Sequence, residues 1–184
     1  MFLLRLKHWQ AFLLLFILPF ILQYVFTRLL SVAGLSSDSL LYTLIDSIPT
    51  IIPTAWLWLI GLHFYRRLPA SIKISALYFH LGVLYFAAYI PLLIYTLGLV
   101  RESMAEGTIP LGMLGLLLPM HLFATFCYLY VVYFSARCIA SAEKQRIVAS
   151  NEYIAVLFQI MFLPIGIWFI QPRINRLASK TPEV

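Results

Sequence analysis

Long apolar segments alternate with short polar segments along this chain. A helix needs about 20 apolar residues to cross the hydrocarbon core of a bilayer. Four segments meet that requirement: residues 9–30, a stretch within 40–65, residues 74–100 and residues 110–136. The polar stretches 34–39, 66–69, 101–109 and 141–152 follow these segments in turn. The pattern predicts an all-α, polytopic transmembrane helical bundle with four spans.

A further apolar stretch, residues 153–170, contains Gln159, Pro164 and Gly166. With the N-terminus in the cytoplasm, four spans leave only Arg28 and Arg101 among the cations outside. A fifth crossing would export Arg173, Arg176 and Lys180, against the positive-inside rule. We therefore expect a C-terminal segment that re-enters and turns back near residues 163–166, or that lies along the interface. The alternative is five spans.

The composition requires lipid as the solvent for most of the chain. Of the 184 residues, 62% are hydrophobic and 11% charged, whereas a soluble domain carries about 25% charged residues. The net charge of +6 arises from short basic clusters between apolar segments. Because nucleic-acid binding needs a continuous basic face, we expect no nucleic-acid partner.

Residues 1–178 are predicted to form a single transmembrane helical domain, followed by a tail at residues 179–184. The first apolar run continues to Phe26. That is longer than the apolar region of a signal peptide, so we expect an uncleaved first span.

Asp46 is the acidic residue most deeply placed in an apolar segment, within Ile45-Asp46-Ser47-Ile48-Pro49. If the second helix starts at Leu40, Asp46 lies nearly two turns inside it and needs a partner or a proton. Alternatively, Asp46 caps a helix that has Pro49 in its first turn. Residues 36–46 would then form a surface loop.

Three histidines also fall within the spans. We expect His63 and His80 near the cytoplasmic ends of the second and third spans, and His121 in the middle of the fourth. With Asp46 they form the candidate intramembrane polar site. Their spacing is not that of a metal site or of a nucleophile elbow, so we expect no metal, no cofactor and no catalytic residue.

Aromatic and basic residues at the ends of apolar segments are typical of interfacial anchors. The residues assigned to lipid or interface anchoring are Trp9, Arg66, Arg67, Trp168 and Arg173. The alternative for Arg173 is an interaction with an acidic partner.

The sequence of residues 162–175, Phe-Leu-Pro-Ile-Gly-Ile-Trp-Phe-Ile-Gln-Pro-Arg-Ile-Asn, contains a proline and a glycine suited to a tight turn. It resembles the C-terminal motif of a family of small, uncharacterised bacterial multi-spanning membrane proteins. Weaker similarities are Lys7-His8-Trp9-Gln10 and residues 133–143. Where that family has an acidic residue, eight positions before the proline, this chain has Val156. The resemblance implies topology and a bacterial origin, with no activity.

These patterns favour an integral membrane protein without enzymatic activity, an accessory, scaffold or assembly component that acts through helix packing. Its expected partners are the lipid bilayer and a membrane protein or a second copy. The expected location is the bacterial cytoplasmic (inner) membrane, crossed several times with the N-terminus inside. The alternatives are a small oligomeric transporter or channel using Asp46 and His121, and an intramembrane or lipid-modifying enzyme.

Overall fold

The computed structural model describes residues 2–35, 39–69, 72 and 74–179, and all regular elements within them are helices. Lys73, Lys180 and the predicted tail beyond Ser179 lie outside the described residues. After a 3-10 turn at Phe2–Leu4, seven helices follow: α1 His8–Val32, α2 Leu40–Asp46, α3 Ile48–Tyr65, α4 Leu77–Ala105, α5 Leu111–Lys144, α6 Ser150–Met161 and α7 Leu163–Ser179. The predicted all-α bundle is confirmed.

Four of these helices, α1, α3, α4 and α5, are long and apolar enough to cross a membrane. They run up and down in sequence. We call the end that carries residues 2–7 and 66–69 the N-terminal end, and the end that carries residues 33–35, 39–47 and 105–110 the opposite end. The four apolar segments predicted from the sequence coincide with these four helices.

Helix α1 contains one π-helical turn at Leu13–Ile17, which the sequence pattern did not predict. Within it, the Leu18 amide donates to the Leu13 carbonyl five residues earlier. The turn immediately precedes Pro19, which has no backbone donor and therefore cannot complete an ordinary α-helical ladder. The wider turn lets α1 continue across the proline.

The stretch predicted to contain the second span forms two helices, α2 and α3, which meet at Ser47. Residues 40–46, expected as a surface loop in one interpretation, form helix α2, so the predicted loop is wrong. The other part of that interpretation, a helix with Pro49 in its first turn that is long enough to span, is confirmed. The Ser47 hydroxyl donates to the Thr43 carbonyl at 2.7 Å, and Pro49 occupies the first turn of α3. The residue at the N-cap of α3 is Ser47, and its side chain makes no capping hydrogen bond; Asp46 Oδ1 accepts from Gln23 instead. Pro49 explains the break, since it has no amide hydrogen to donate to the Ile45 carbonyl four residues earlier and its ring clashes with that carbonyl.

The main apolar core lies towards the N-terminal end. There the Phe79 and Phe134 rings stack with centroids 4.3 Å apart, and both side chains are buried. A Cβ on Gly61 would lie 2.6 Å from Ser135 Oγ and 2.8 Å from Phe79 Cζ. Because Gly61 has no side chain, α3 can approach both α4 and α5 at this point.

Helix α5 continues to Lys144, eight residues beyond the predicted end of the fourth span. At about 1.5 Å per residue, its 34 residues extend about 51 Å, well beyond a hydrocarbon core of about 30 Å. Its last turns are covered: Cys138 and Ile139 are fully buried, and α6 packs along this part of the helix. Tertiary packing therefore extends the helix into a polar sequence.

The C-terminal segment breaks at Phe162 and folds back on itself. The break lies one residue before the predicted turn region, and Pro164 falls in the first turn of α7, where its missing donor costs little. A Cβ on Gly166 would overlap the Gln159 carbonyl. Helices α6 and α7 therefore cross at a point where only glycine fits, and they form a hairpin.

Both arms of this hairpin are bound to the N-terminal end. Glu152, in the first turn of α6, pairs with Lys144 and Arg146, and Arg173 of α7 pairs with Glu143. Arg67 also donates to the Leu177 carbonyl at 3.2 Å. The segment therefore returns to the end from which it started, as expected for four spans and a re-entrant segment. The alternative of five crossings would separate Arg173 from Glu143.

Candidate functional site

Asp46 lies half-buried at the opposite end of the bundle. Its Oδ1 accepts a hydrogen bond from Gln23 Nε2 of α1 at 2.9 Å. Helix α3 begins two residues later and spans about 27 Å at about 1.5 Å per residue. That length nearly equals a hydrocarbon core of about 30 Å, so α3 alone is long enough to span it, and Asp46 lies just before the first residue of α3.

His80 and His63 lie towards the N-terminal end of the spans. The Trp58 Nε1–H of α3 donates to His80 Nδ1 of α4 at 3.0 Å, so this pair joins two helices. The buried Nε2 of His63 has no hydrogen-bond partner in the part of the chain that the structure describes. These two histidines do not share a contact.

His121 lies about ten residues into α5, in the middle of the bundle. Its Nδ1 is 2.9 Å from the Tyr89 hydroxyl of α4, within hydrogen-bonding distance. Tyr89 itself is buried, being 3% exposed, in a small cluster with Ile90 and Ala124. This contact joins α4 and α5 at mid-depth.

The four candidate polar residues therefore do not converge on one site. Asp46, His80 and His121 each bind a different residue on a neighbouring helix, and His63 lies apart from all three. Among residues 2–35, 39–69, 72 and 74–179, no group of three His, Cys, Asp or Glu side chains could hold a metal ion. Asp46, His80 and His121 therefore each connect one pair of helices.

Asp46 is also part of a polar cavity of about 540 Å³ at the opposite end. The other polar groups in its lining come from α2 and α4: Tyr42, Thr43, Tyr95, Arg101 and Glu102. We did not predict this cluster from the sequence. The signal was present, because the start of the second span and the end of the third must meet at one end of an up-and-down bundle.

A second cavity, of about 630 Å³, is a groove between α4 and α5 with almost purely apolar walls. Gly82 and Ala88 of α4 and Phe126 of α5 are among its lining residues. Leu84 and Phe126 in its walls are 67% and 65% exposed. The groove faces outward, away from α3, where the four-helix assembly leaves it uncovered.

All five predicted anchoring residues lie at the N-terminal end. Trp9 and Trp168 are each 46% exposed, and the Trp168 ring also contacts His8, with centroids 4.8 Å apart. Arg66 is exposed, whereas Arg67 is bound to α7. Arg173 has an acidic partner within its own chain, Glu143.

Two amides of the C-terminal motif hold the N-terminal segment. Gln171, which is fully buried, donates to the carbonyls of Leu3 and Leu6 at 2.9 and 3.3 Å. Asn175 Nδ2 donates to the same Leu6 carbonyl at 2.8 Å, and its Oδ1 accepts from Gln171. These contacts give the Gln-Pro-Arg-Ile-Asn part of the motif a structural role that the sequence did not predict.

Glu152 is the centre of the ionic network beside the hairpin. Its carboxylate binds Arg146, Lys144 and the backbone amide of Ala149. Hydrogen bonds from Arg146, then from Lys144 and Ala149, lower the pKa of Glu152 from 4.5 to about 2. Val156, where the resembled family has an acidic residue, lies one turn further along α6 and is fully buried.

No family model, curated protein or solved structure matches this chain. The resemblance of the C-terminal motif therefore stays a prediction.

Proposed function

We propose that this chain is a non-enzymatic accessory or scaffold component of a membrane assembly, acting through helix packing. One observation carries the proposal: three of the candidate polar side chains each lie within hydrogen-bonding distance of a residue on a neighbouring helix. The pairs are Gln23–Asp46, Trp58–His80 and Tyr89–His121. Polar groups in helices commonly act in this way within a bilayer.

The proposed location is the cytoplasmic membrane of a bacterium, with the N-terminal end inside. Support comes from charge. The N-terminal end carries the cations Arg5, Lys7, Arg66, Arg67, Arg137, Lys144, Arg146, Arg173 and Arg176, whereas Arg28 and Arg101 lie towards the opposite end. Cytoplasmic loops carry such an excess of Lys and Arg.

The test is purification of the full chain in a mild detergent, with native mass measurement of its stoichiometry. We expect a second protein, or a second copy, in a fixed ratio. A photoreactive residue at Phe126, in the α4–α5 groove, should form a cross-link to that partner. The matched control is Phe20 of α1, which is 59% exposed and outside the groove. A monomer that cross-links only to lipid at both positions would contradict the proposal.

A second candidate, a small transporter or channel, is favoured by the polar cavity that contains Asp46. His121 is not among its lining residues. The discriminating measurement is proton or ion flux in proteoliposomes. Flux that disappears in Asp46→Asn would support transport and count against a purely structural role, whereas no flux above protein-free liposomes would count against transport.

A further inference from the structure

The cavity at the opposite end presents charges of both signs to the same space. Its lining includes the basic residue Arg101 and the acidic residues Asp46 and Glu102. Among the residues that the structure describes, these three groups form no ion pair with one another. The two phenols, Tyr42 and Tyr95, add hydroxyl groups that can donate or accept.

The cavity also spans the boundary between polar and apolar surroundings. Arg101 and Glu102 lie in the last two turns of α4, and Asp46 ends α2. From there the lining continues along α4 through Gly98 to Ile94. A Cβ on Gly98 would meet nothing within 4 Å, so the cavity is open along this wall.

We propose that this cavity binds a zwitterionic headgroup that carries a phosphate and a primary ammonium, as in phosphatidylethanolamine. Arg101 binds the phosphate, since a guanidinium matches phosphate oxygens with two parallel donors. Asp46 and Glu102 bind the ammonium, and the acyl chains lie along the apolar wall near Ile94. A volume of about 540 Å³ falls in the range of about 300–1,000 Å³ typical of ligand pockets.

The charge balance also gives selectivity. With two carboxylates and one guanidinium, the lining has a negative formal charge. An anionic headgroup without an ammonium, such as that of phosphatidylglycerol, leaves both carboxylates unpaired beside it. Unpaired charges of the same sign at close range are unfavourable, so the anionic lipid binds more weakly.

The test uses the full chain in nanodiscs that contain phosphatidylethanolamine and phosphatidylglycerol in equal amounts and with identical acyl chains. After mild detergent release, native mass spectrometry counts the lipid retained. We expect preferential retention of phosphatidylethanolamine. Arg101→Gln and Glu102→Gln should each lower that retention about tenfold, the effect of one lost charge-assisted hydrogen bond.

Two control variants carry the same substitutions outside the cavity. Arg28→Gln removes a cation that lies over the Tyr24 ring, and Glu106→Gln removes an exposed carboxylate just beyond α4. Both should retain lipid as the unmodified protein does. Equal retention of the two lipids, or unchanged retention in Arg101→Gln and Glu102→Gln, would overturn the proposal.

A second experiment tests whether the cavity binds the headgroup alone or only the intact lipid. Delipidated protein is titrated with soluble O-phosphoethanolamine, and binding is followed by calorimetry. Binding that is lost in Arg101→Gln supports recognition of the free headgroup. Absence of soluble binding together with lipid retention supports a requirement for the acyl chains. Failure in both experiments would overturn the assignment.

Discussion

Arg173 of α7 pairs with Glu143 near the end of α5, and this contact brings the returning arm of the hairpin beside the last turn of the fourth span. Glu152, in the first turn of the hairpin, is only nine residues from Glu143 in the sequence. The hairpin therefore starts and finishes at the same end of the bundle. This geometry fits four spans and a hairpin, an even number of crossings.

The even number of crossings predicts a labelling pattern for single cysteines. In a background of Cys127→Ala and Cys138→Ala, we expect Lys7→Cys and Ser179→Cys to react with an impermeant maleimide from the same side of a vesicle. Thr108→Cys, in the loop between α4 and α5, should react only from the other side. Labelling of Ser179→Cys from the same side as Thr108→Cys would mean five crossings.

The close approach at Gly166 predicts a large destabilisation for Gly166→Ala. The new methyl group overlaps the Gln159 carbonyl, and α6 and α7 must separate. Overpacking costs about 1–3 kcal/mol, which thermal unfolding in detergent should detect. The matched control is Gly112→Ala in α5, where nothing lies within 4 Å. That substitution should be neutral or stabilise by up to about 1 kcal/mol, since alanine favours the helix. Equal effects at the two positions would contradict the proposed crossing.

The buried amide of Gln171 predicts that Gln171→Ala releases the N-terminal segment. The Leu3 carbonyl loses the donor that Gln171 supplies, whereas the Leu6 carbonyl keeps its bond from Asn175. An unsatisfied buried group costs about 1–3 kcal/mol. Hydrogen exchange should accelerate in residues 3–11, beginning with amides near Leu3. Asn151→Ala, at an exposed position in the first turn of α6, is the control and should leave that exchange unchanged. Protection that survives in Gln171→Ala would show that apolar contacts alone hold the segment.

The low pKa of Glu152 predicts an acid-dependent loss of stability. Its pKa is about 2 in the folded chain, below the ordinary value of 4.5. The ionised carboxylate therefore stabilises the fold fully above about pH 4.5, and this contribution is lost as the pH falls towards 2. The melting temperatures of the unmodified protein and Glu152→Gln should differ at pH 7 and converge near pH 2. Glu106→Gln, at an exposed position, should leave the melting temperature unchanged. A constant difference for Glu152→Gln would rule out the ionic mechanism.

The number and order of the spans could be predicted because the free energy of transferring a segment to lipid is nearly a sum over its individual residues. Long apolar runs and flanking cations identify α1, α3, α4 and α5 without any knowledge of their neighbours. The turn before α7 was also accessible, because Pro164 limits where a helix can continue. The charge argument against a fifth crossing agrees with the hairpin that Arg173 and Glu143 close.

The faces by which these helices contact one another could not be predicted. Helices that are apolar all round give no stripe that marks a core side. Thus Gly61 and Gly166 could not be distinguished from Gly112 in their packing roles, although only the first two lie at close crossings. For the same reason the sequence left the depth of Asp46 open between two interpretations. It identified neither the partner of Asp46, Gln23, nor its neighbours Arg101 and Glu102 across the cavity.

The hydrogen bonds from Gln171 to Leu3 join residues 168 positions apart. At a synthesis rate of about 5–20 residues per second, Leu3 leaves the ribosome on the order of ten seconds before Gln171 exists. During that interval the Leu3 and Leu6 carbonyls lack the donors that later hold them, while the four spans are already entering the bilayer. The N-terminal segment is therefore secured only at the end of biogenesis, and a ribosome that stalls before α7 leaves it exposed to quality-control proteases.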